Sequence, residues 1–469
     1  MGSGGMDGNG IATRVAAQRA GADARRLRFG FHERRAALDR LAATVKAEEA
    51  SIIAALQADF GKPAPETVLT EILPVLQEIR HTRRHLRRWM APRRVGGSLT
   101  TFGTSARIVP QAKGTCLIIA PWNYPFLLAL GPLVSALAAG NAAVIKPSEM
   151  TPATSALIAR LVAAAFPPDL VTVVEGGREA AETLLDQPFD HVFFTGSPAV
   201  GRSVMAAAAK HLASVTLELG GKSPCIVGPG ADLDRAAAWI AFGKFANAGQ
   251  TCIAPDHLFV HEAVKAAFLA KLRARIARAY GGGAASPHLA RIVNDAHAAR
   301  LAGLVRDAVA KGARVALDGG QDGRAMGPTL LEAVTPEMEI DREEIFGPVL
   351  PVMTYRDAVE VIARINAGPK PLALYVFDRD RARVDQVVGA TTSGSVGVNL
   401  TVLQFSHAGL PFGGVGNSGL GAAHGEHGFR AFSHDRAVLV NRFSVLPMIF
   451  PPYTAGVRRM IGLAQRVLG

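Results

Sequence analysis

Cysteine is scarce in this sequence: Cys116, Cys225 and Cys252 are the only three among 469 residues. The three positions are too far apart to form a CxxC pair, and the count is odd. These features exclude the disulfide framework that staples small secreted domains, and they favour a reducing compartment. We therefore expect a cytoplasmic protein, and we expect no metal centre built from clustered thiolates.

Long uninterrupted apolar runs are also missing, although 49% of the residues are hydrophobic. The uncharged stretch between Lys113 and Lys146 comes nearest, but Pro121 and the Gly140-Asn141 pair interrupt it. Its longest helical piece, about 14 residues, is shorter than the roughly 20 residues of a bilayer-spanning helix, so a buried strand–helix–strand unit is predicted. The C-terminal "GVRRMIGLAQRVLG" is amphipathic at most, and we interpret it as the last helix of a soluble protein. We expect no contact with a membrane.

Acidic residues are fewer than basic ones, with 39 Asp and Glu against 51 Lys and Arg, for a net charge of +12. The densest basic cluster, "RHTRRHLRRWMAPRR" at 80–94, could be a phosphate-binding patch or the solvated face of a helix that stops at Pro92. No motif of a nucleic-acid-binding fold accompanies it, so we expect the helix and no nucleic-acid partner. His81 and His85 are one helical turn apart, as metal ligands can be, but no third ligand is in view.

Short apolar segments alternate with helical ones along most of the chain. The glycine-rich start "MGSGGMDGNG" is interpreted as a flexible leader, and 11–90 has the composition and spacing of two or three helices. From residue 115 to "SVTLEL" strands and helices alternate, and the rhythm resumes after "GGKSP". This pattern predicts an α/β fold with two doubly wound, Rossmann-like halves that join near Gly220-Gly221. Residues 95–112 are predicted to form an extended arm or hairpin.

Polar side chains follow several predicted strands at their carboxyl ends, where open α/β sheets bind ligands. "APWNYPF" places Asn123 there as a candidate oxyanion donor. "TLELGGK" places Glu218 at the end of an apolar strand, where burial would raise its pKa and suit it to act as a base. "VIKPSE" places Lys146 and Glu149 where both can reach ribose hydroxyls. Each assignment has a plainer alternative, namely an Asn turn before a proline, a buried ion pair and a surface pair.

"FFTGSPAVG" is the best of several glycine-containing candidates for a nucleotide site. Gly196 and Ser197 form a turn between a strand and a helix that includes Gly201, and the N–H groups at the start of that helix would face a pyrophosphate. An ordinary strand–helix turn explains these residues equally well. "GVGNSG" at 414–419 fits the dinucleotide-binding pattern by letter, but no apolar strand precedes it. "GGKS" at 220–223 lacks the first glycine of a phosphate loop.

"FANAGQTCIAPD" at 245–256 carries Cys252 at the start of what we interpret as a strand, "CIAPDHLFVH". A small core side chain and a nucleophile both remain possible for this cysteine. If the strands are ordered as predicted, Cys252, Glu218 and Asn123 meet at one edge as a nucleophile, a base and an oxyanion donor. Beside a nucleotide-binding half, this set predicts covalent oxidation through a thioester. The alternatives are a cysteine hydrolase or esterase on the same fold and a catalytically silent NAD-binding scaffold.

Seven motifs in one order resemble the aldehyde dehydrogenase family over about residues 15–453. They are "APWNYPF", "GNAAVIKPSE", "FTGSPAVG", "LELGGKSP", "GKFANAGQTC", "EEIFGPVLPV" and "LPFGGVGNSGLG". "NYPF", "NAGQTCIAPD", "PFGGVGNSG" and the late "FPPYT" resemble the class 3 branch, which includes fatty, aromatic and coniferyl aldehyde dehydrogenases. Pro198 stands where that branch usually has threonine.

The resemblance implies a role for each matching position. Cys252 would attack the aldehyde, its backbone N–H and the Asn123 side chain would hold the oxyanion, and Glu218 would activate the deacylating water. Lys146 and Glu149 would hold the adenosine ribose. The remaining cofactor contacts would be those of Gly196, Ser197 and Gly201 at the pyrophosphate, and of Glu344 and Phe346 at the nicotinamide end.

The implied reaction is NAD(P)-dependent oxidation of an aldehyde, medium- or long-chain aliphatic or aromatic, to the carboxylic acid through a thiohemiacetal and a thioester. NAD is the expected cofactor and NADP a possible one, because Glu149 would repel a 2′-phosphate. Substrate specificity is expected to involve Tyr124, Leu128 and 401–408. A homodimer is expected, with the arm pairing with a strand near "FSHDRAVLVN". The implied units are an NAD-binding domain at 11–94 and 113–221, a catalytic domain at 222–422, and bridging or oligomerisation segments at 95–112 and 423–455.

Overall fold

The computed structural model describes residues 8–468 of the chain, and the side chains of residues 8–466. A π-helical turn, Val68–Ile72, joins the fifth and sixth α-helices. The α-helices of the described part are α1 Gly8–Ala20, α2 Ala22–Arg28, α3 Phe31–Ala47, α4 Glu49–Phe60, α5 Ala64–Thr67, α6 Leu73–Met90, α7 Leu127–Ala139, α8 Pro152–Ala165, α9 Arg178–Leu185, α10 Pro198–Ala209, α11 Leu233–Phe245, α12 Glu262–Tyr280, α13 Asp295–Ala310, α14 Glu339–Arg342, α15 Ala358–Ala367, α16 Arg381–Ala390, α17 Gly425–Ala431 and α18 Ala455–Leu468.

The strands alternate with these helices from residue 115 onward and form three main sheets and one small hairpin. They are β1 Arg93–Val95, β2 Thr104–Ala112, β3 Thr115–Ile119, β4 Ala142–Lys146, β5 Val171–Val173, β6 His191–Gly196, β7 Ser214–Leu219, β8 Pro224–Val227, β9 His257–His261, β10 Arg314–Leu317, β11 Gln321–Asp322, β12 Ala325–Met326, β13 Thr329–Glu332, β14 Val349–Tyr355, β15 Ala373–Phe377, β16 Ser395–Val398, β17 Gly419–Leu420 and β18 Ser433–Asn441.

The first sheet has six strands in the order β17-β7-β6-β3-β4-β5. Five of them run parallel, and the short β17 pairs antiparallel with β7. Successive side chains face opposite layers, so Ile118 and Ile145 join a core with α7 and α8, whereas Leu117 and Val144 pack with α1, α9 and α10. The carboxyl ends of β3, β4, β6 and β7 therefore meet at one edge.

The second sheet has seven strands in the order β10-β13-β14-β9-β8-β15-β16. They run parallel except for β10, which pairs antiparallel with β13. Cys225 of β8 packs in the core beneath α11 and α12, and the next residue, Ile226, packs in the layer on the opposite face. Two mostly parallel sheets covered by helices confirm the predicted α/β fold with two doubly wound units.

The third sheet has three strands in the order β1-β2-β18 and lies outside both units. β2 and β18 pair antiparallel over nine residues, from Thr104 opposite Asn441 to Ala112 opposite Ser433. The extended arm expected at 95–112 is confirmed, and its partner is the strand "SHDRAVLVN".

Two further expectations are confirmed in the first half of the chain. The uncharged stretch between Lys113 and Lys146 folds into β3, α7 and β4. The basic cluster at 80–94 belongs mainly to α6, which buries Ile79, Leu86 and Trp89 and directs most of its arginines outward. Within residues 8–468, none of the helices combines the length and the apolar character needed to cross a bilayer.

Three local expectations are wrong. The flexible leader was expected to include residues 8–10, but α1 begins at Gly8. The rest of that expected leader, residues 1–7, lies outside the described part. From residue 8 to residue 90 the structure has six α-helices, not two or three, partly because glycines interrupt the run, as Gly61 does at φ 65° after α4. Cys252 lies in a turn and not in a strand, since Pro255 has no N–H to pair with a neighbouring strand and β9 begins only at His257.

Candidate active site

Cys252 lies in the turn between α11 and β9, directly after a strained loop. Asn247, Ala248 and Gly249 have φ values of 54°, 52° and 74°, in the left-handed region that costs non-glycine residues free energy. Gly249 is required at its position, because a Cβ there would overlap the carbonyl group of Gly347. Such a conformation persists only where its surroundings hold it, so the neighbours of this loop determine where the sulfur lies.

Asn123 is one of those neighbours and follows β3. Its side-chain Nδ2 donates to the backbone carbonyl of Gln250 at 3.1 Å, and its backbone carbonyl accepts from Nδ2 of Asn247 at 2.8 Å. Gln250 is fixed in turn by the backbone N–H of Val293, which donates to Oε1 at 2.9 Å. An amide NH₂ has two N–H donors, and the bond from Asn123 to Gln250 uses one of them. The structure thus packs Asn123 against the loop that ends two residues before Cys252.

The Cys252 thiol is half-buried beside two acidic residues. Burial raises its pKa to about 12, and the negative charges of Glu344 and Glu218 act in the same direction. The backbone N–H groups of Cys252 and Ile253 oppose the shift. The protein alone therefore keeps the thiol protonated at neutral pH, and a nucleophilic thiolate needs a proton acceptor close by.

Glu218 is one of the two acidic neighbours of Cys252. It lies in β7, in register with Gly419 of β17 and Thr195 of β6, and only 5% of it is exposed. Both carboxyl oxygens are buried without a hydrogen-bond partner among the described residues, and burial raises the pKa well above the usual value. The alternative of a buried ion pair fails, because such a pair would satisfy these oxygens. An unpartnered buried carboxyl fits a group that exchanges protons with a ligand or water.

Lys146 and Glu149 lie together at the carboxyl end of β4. Lys146 is buried, and its Nζ donates to the carbonyl of Pro147 at 2.8 Å and to Oε2 of Glu149 at 3.0 Å. The Glu149 side chain is 48% exposed. A simple surface pair does not describe this arrangement, since burying a lysine ammonium costs free energy that a solvated pair avoids.

The glycines of "FFTGSPAVG" form a compact strand–helix turn at the same edge. Gly196 ends β6, and Oγ of Ser197 caps α10 by accepting the N–H of Val200 at 3.4 Å. A Cβ at Gly201 would overlap the side chain of Leu219, so α10 packs closely on β7. The first N–H groups of a helix attract phosphate oxygens, and this turn with Lys146 and Glu149 fits a dinucleotide.

Glu344 lies beside the end of β7, and Phe346 lies beside the segment that follows β3. The Glu344 carboxyl accepts the N–H of Gly221 and packs so closely on Gly220 that a Cβ there would overlap it. Burial raises the Glu344 pKa to about 7. The Phe346 ring meets the Trp122 ring edge-on at 5.3 Å. Glu344 thus lies at the carboxyl end of β7, and Phe346 packs on Trp122, which follows β3.

A partly buried ion pair that the sequence did not indicate ties the Glu344 segment to the cysteine turn. Nζ of Lys222 donates to Oδ2 of Asp256 at 2.6 Å and to the carbonyl of Glu343 at 2.8 Å. Oδ1 of Asp256 accepts the N–H of Ile345 at 2.9 Å. The two charged residues are 34 positions apart, so no periodic spacing could have related them.

Cys252 and Glu218 open on one cavity of about 310 Å³. Its walls come mainly from apolar side chains of α7, α11 and the 402–408 segment, with few polar groups. The wall residues include Tyr124, Leu127, Leu128, Trp239, Phe242, Val402, Leu403, Phe405 and Phe412. Tyr124, Leu128 and much of 401–408, which were expected to affect substrate specificity, thus line this cavity.

Several described proteins are similar to this chain in sequence or in fold. A 4,4'-diaponeurosporen-aldehyde dehydrogenase of Staphylococcus aureus is 42% identical over 425 residues, which cover 90% of this chain and 92% of the relative. Aldehyde dehydrogenase family 3 member A2 of Macaca fascicularis is 41% identical over 419 residues, 89% of this chain and 84% of the relative. This second relative confirms the class 3 branch.

The structure of a substrate-bound Staphylococcus aureus AldH superposes with a TM-score of 0.92 at 39% identity, covering 97% of this chain and 99% of that one. The sequence model of the aldehyde dehydrogenase family matches residues 11–438. The chain therefore belongs to the aldehyde dehydrogenase family and is an NAD(P)-dependent enzyme that oxidises an aldehyde to the carboxylic acid.

Proposed function

We propose that Cys252 is the nucleophile, Glu218 the general base and Asn123 the oxyanion donor of this oxidation. One observation carries the assignment: Cys252 and Glu218 open on the same apolar cavity, and both oxygens of Glu218 are buried without a hydrogen-bond partner in the described part of the chain. A carboxyl with a raised pKa in such a place is suited to accept protons near neutral pH.

In the first half of the proposed reaction, Glu218 accepts the thiol proton and the Cys252 sulfur forms a bond to the aldehyde carbon. The carbonyl π electrons move to oxygen, and the free Nδ2 hydrogen of Asn123 together with the Cys252 N–H donates to that oxyanion. The nicotinamide, when bound, supplies the oxidant by accepting a hydride from this carbon. Cys252 then carries a thioester.

In the second half Glu218, having passed its first proton to solvent, removes a proton from water. The hydroxide forms a bond to the thioester carbon, the C–S bond breaks, and the carboxylic acid leaves. The sulfur departs as a thiolate and takes up a proton. Glu218 acts in both halves, which requires that it be free of a permanent ion-pair partner, and it has none among the residues that the structure describes.

The cofactor is proposed to lie at the shared strand edge of the first unit. The NAD-binding domain is assigned to 11–94 and 113–221, and the catalytic domain to 222–422. The half-exposed Glu149 carboxylate would accept from a ribose 2′-hydroxyl and repel a 2′-phosphate, which favours NAD over NADP. The residues proposed to hold the cofactor are Lys146, Glu149, Gly196, Ser197, Gly201, Glu344 and Phe346.

An apolar aldehyde, medium- or long-chain aliphatic or aromatic, is proposed as the substrate. The cavity walls are mostly aliphatic and aromatic, and burial of such a substrate is favourable at about 25 cal/mol for each Å² of apolar surface. The enzyme is proposed to be cytoplasmic, which is supported by its three free cysteines.

The first test follows NADH or NADPH formation with a panel of aliphatic and aromatic aldehydes. Cys252→Ala should abolish turnover and leave cofactor binding intact, whereas Cys225→Ala, which changes a core cysteine, should retain turnover. Glu218→Gln should slow thioester hydrolysis, so a burst of NADH should precede a slow steady state. Ester hydrolysis without NADH formation from any aldehyde would instead support the cysteine hydrolase.

A further inference from the structure

A buried charge cluster lies behind the two loops that carry Asn123 and Cys252. Nζ of Lys62 lies 2.7 Å from Oε1 of Glu71, and both side chains are fully buried. The Lys62 ammonium also lies 4.0 Å from the centroid of the Tyr124 ring. Removing such charges from water is unfavourable, so the remaining contacts of these side chains must account for their burial.

Glu71 fixes the start of α7, just after Asn123. Its Oε2 accepts the N–H of Leu127 at 2.9 Å, and the N–H of Phe126 also donates to this carboxylate. These N–H groups have no partner within the helix, and a carboxylate at a helix N-terminus also interacts favourably with the helix dipole. Glu71 therefore determines where the segment that carries Asn123 enters α7.

Glu66 holds the loop before Cys252. Its Oε1 accepts the backbone N–H of Asn247 at 2.8 Å, at the first left-handed residue of that loop. Burial raises the Glu66 pKa, while the Lys62 ammonium acts in the opposite direction. Lys62 thus stabilises the charge of both carboxylates, one at each loop.

Tyr124 is the third link between the loops. Its ring covers the Lys62 ammonium, and its hydroxyl shares a hydrogen bond of 2.7 Å with Oγ1 of Thr251, the residue before Cys252. The same ring forms part of the cavity wall, whereas Lys62 and the two carboxylates do not line the cavity. The charge cluster can therefore act on the reaction only through the loops that it contacts.

We propose that Lys62, Glu66 and Glu71 are positioning residues that set the distance between the Asn123 amide and the Cys252 sulfur. The inference rests on the roles proposed for Asn123 and Cys252. Loss of one anchor would let one loop relax relative to the other, and misplacing a catalytic group by about 1 Å can cost about a hundredfold in rate.

Glu66 offers a matched pair of variants. Glu66→Gln keeps an oxygen acceptor for the Asn247 N–H, and Glu66→Ala removes it. Glu66→Ala should lower kcat about ten- to a hundredfold at unchanged cofactor affinity. It should also speed alkylation of Cys252 by iodoacetamide without cofactor, since a relaxed loop exposes the thiol. Glu66→Gln should resemble the parent enzyme in both measurements. A folded Glu66→Ala enzyme with parental kcat or alkylation, or a Gln variant as impaired as the Ala variant, would overturn the proposal.

A second variant covers the case in which Glu66→Ala does not fold. Lys62→Met with Glu71→Met removes both buried charges together with the oxygen acceptor at the start of α7. Replacing a buried ion pair by apolar side chains of similar volume often leaves stability unaltered or improved. The double variant should melt at or above the parental temperature and still lose kcat by about tenfold or more. Parental kcat in this variant would overturn the proposal. Retention of turnover by Cys252→Ala would instead show that the proposed function itself is wrong.

Discussion

At the residue scale, the site places two acidic groups beside a thiol in a mostly apolar cavity. Glu218 and Glu344 both have raised pKa values, and each raises the pKa of Cys252. Buried like charges oppose one another, so ionisation of any one makes ionisation of the others harder. The two carboxyls therefore favour the protonated form of the Cys252 thiol, and this has a measurable consequence for its reactivity.

The rate of Cys252 alkylation by iodoacetamide, measured without cofactor by mass spectrometry, should rise steadily from pH 7 to 10. The thiolate is the reacting form, and below a pKa of about 12 its fraction grows about tenfold per pH unit. Glu344→Gln removes a neighbouring negative charge, lowers the thiol pKa and should speed alkylation at pH 8. Glu343→Gln, which changes a 59% exposed carboxylate next to it, should not. A plateau between pH 7 and 8 in the parent enzyme would contradict this electrostatic description.

Sequence patterns could indicate some of these residues and not others. Glu218 could be predicted because a carboxylate at the end of an apolar strand stands out in the sequence. Cys252 could be predicted because cysteine is rare in this chain. The Lys62–Glu71 pair could not be predicted, since nothing in "GKPAPETVLTE" distinguishes a buried ion pair from an exposed one. The roles given to Glu344 and Phe346 came from the family resemblance alone and remain predictions.

At the element scale, the GVGNSG segment matches the letters of a dinucleotide-binding motif, but its role in the structure is to pair with β7. β17 pairs with β7 at Glu218 and Leu217, and the N–H of Leu219 donates to the Ser418 carbonyl at 3.0 Å. A Cβ at Gly414 would overlap the Ser418 backbone, so the glycine permits the turn that returns β17 to the sheet. The segment therefore supports the strand that carries the proposed base.

Gly414→Ala should lower the melting temperature and kcat together. Overpacking against backbone costs about 1–3 kcal/mol, and the displaced turn would loosen the edge of β7 at Glu218. Gly389→Ala is the control, because that glycine lies in α16 with open space around it and alanine there should stabilise by about 0.5–1 kcal/mol. Scanning calorimetry and steady-state kinetics give both quantities. A Gly414→Ala enzyme with parental kcat would show that β17 does not support Glu218.

Elements were predictable where apolar runs were long and evenly spaced, as from β3 to β9. The stretch that contains β10 to β13 was not predicted, because β11 and β12 have two residues each and the pairing of β10 with β13 is irregular between Val315 and Leu317. Short irregular strands leave little periodic signal in the sequence.

At the scale of the whole molecule, the three-stranded sheet leaves apolar surface exposed. β18 is an edge strand in the described part of the chain, since only β2 pairs with it. Leu439 is 60% exposed, Val440 41% and the following Phe443 64%. Open edges and clustered apolar side chains are typical of surfaces that another chain covers, which favours the homodimer expected from the sequence.

Light scattering after size exclusion should give the parent enzyme a mass twice the 49.2 kDa of one chain. Leu439→Lys places a charge on the exposed face of β18 and should shift the mass toward a single chain, because burying an unpaired charge at an interface is unfavourable. Leu212→Lys is the matched control: it changes a leucine that is 94% exposed and lies outside the three-stranded sheet, so it should leave the dimer intact. A parent mass of one chain would contradict the homodimer. A dimeric Leu439→Lys enzyme would place the interface elsewhere on the molecule and leave the exposed edge of β18 without a partner from a second copy.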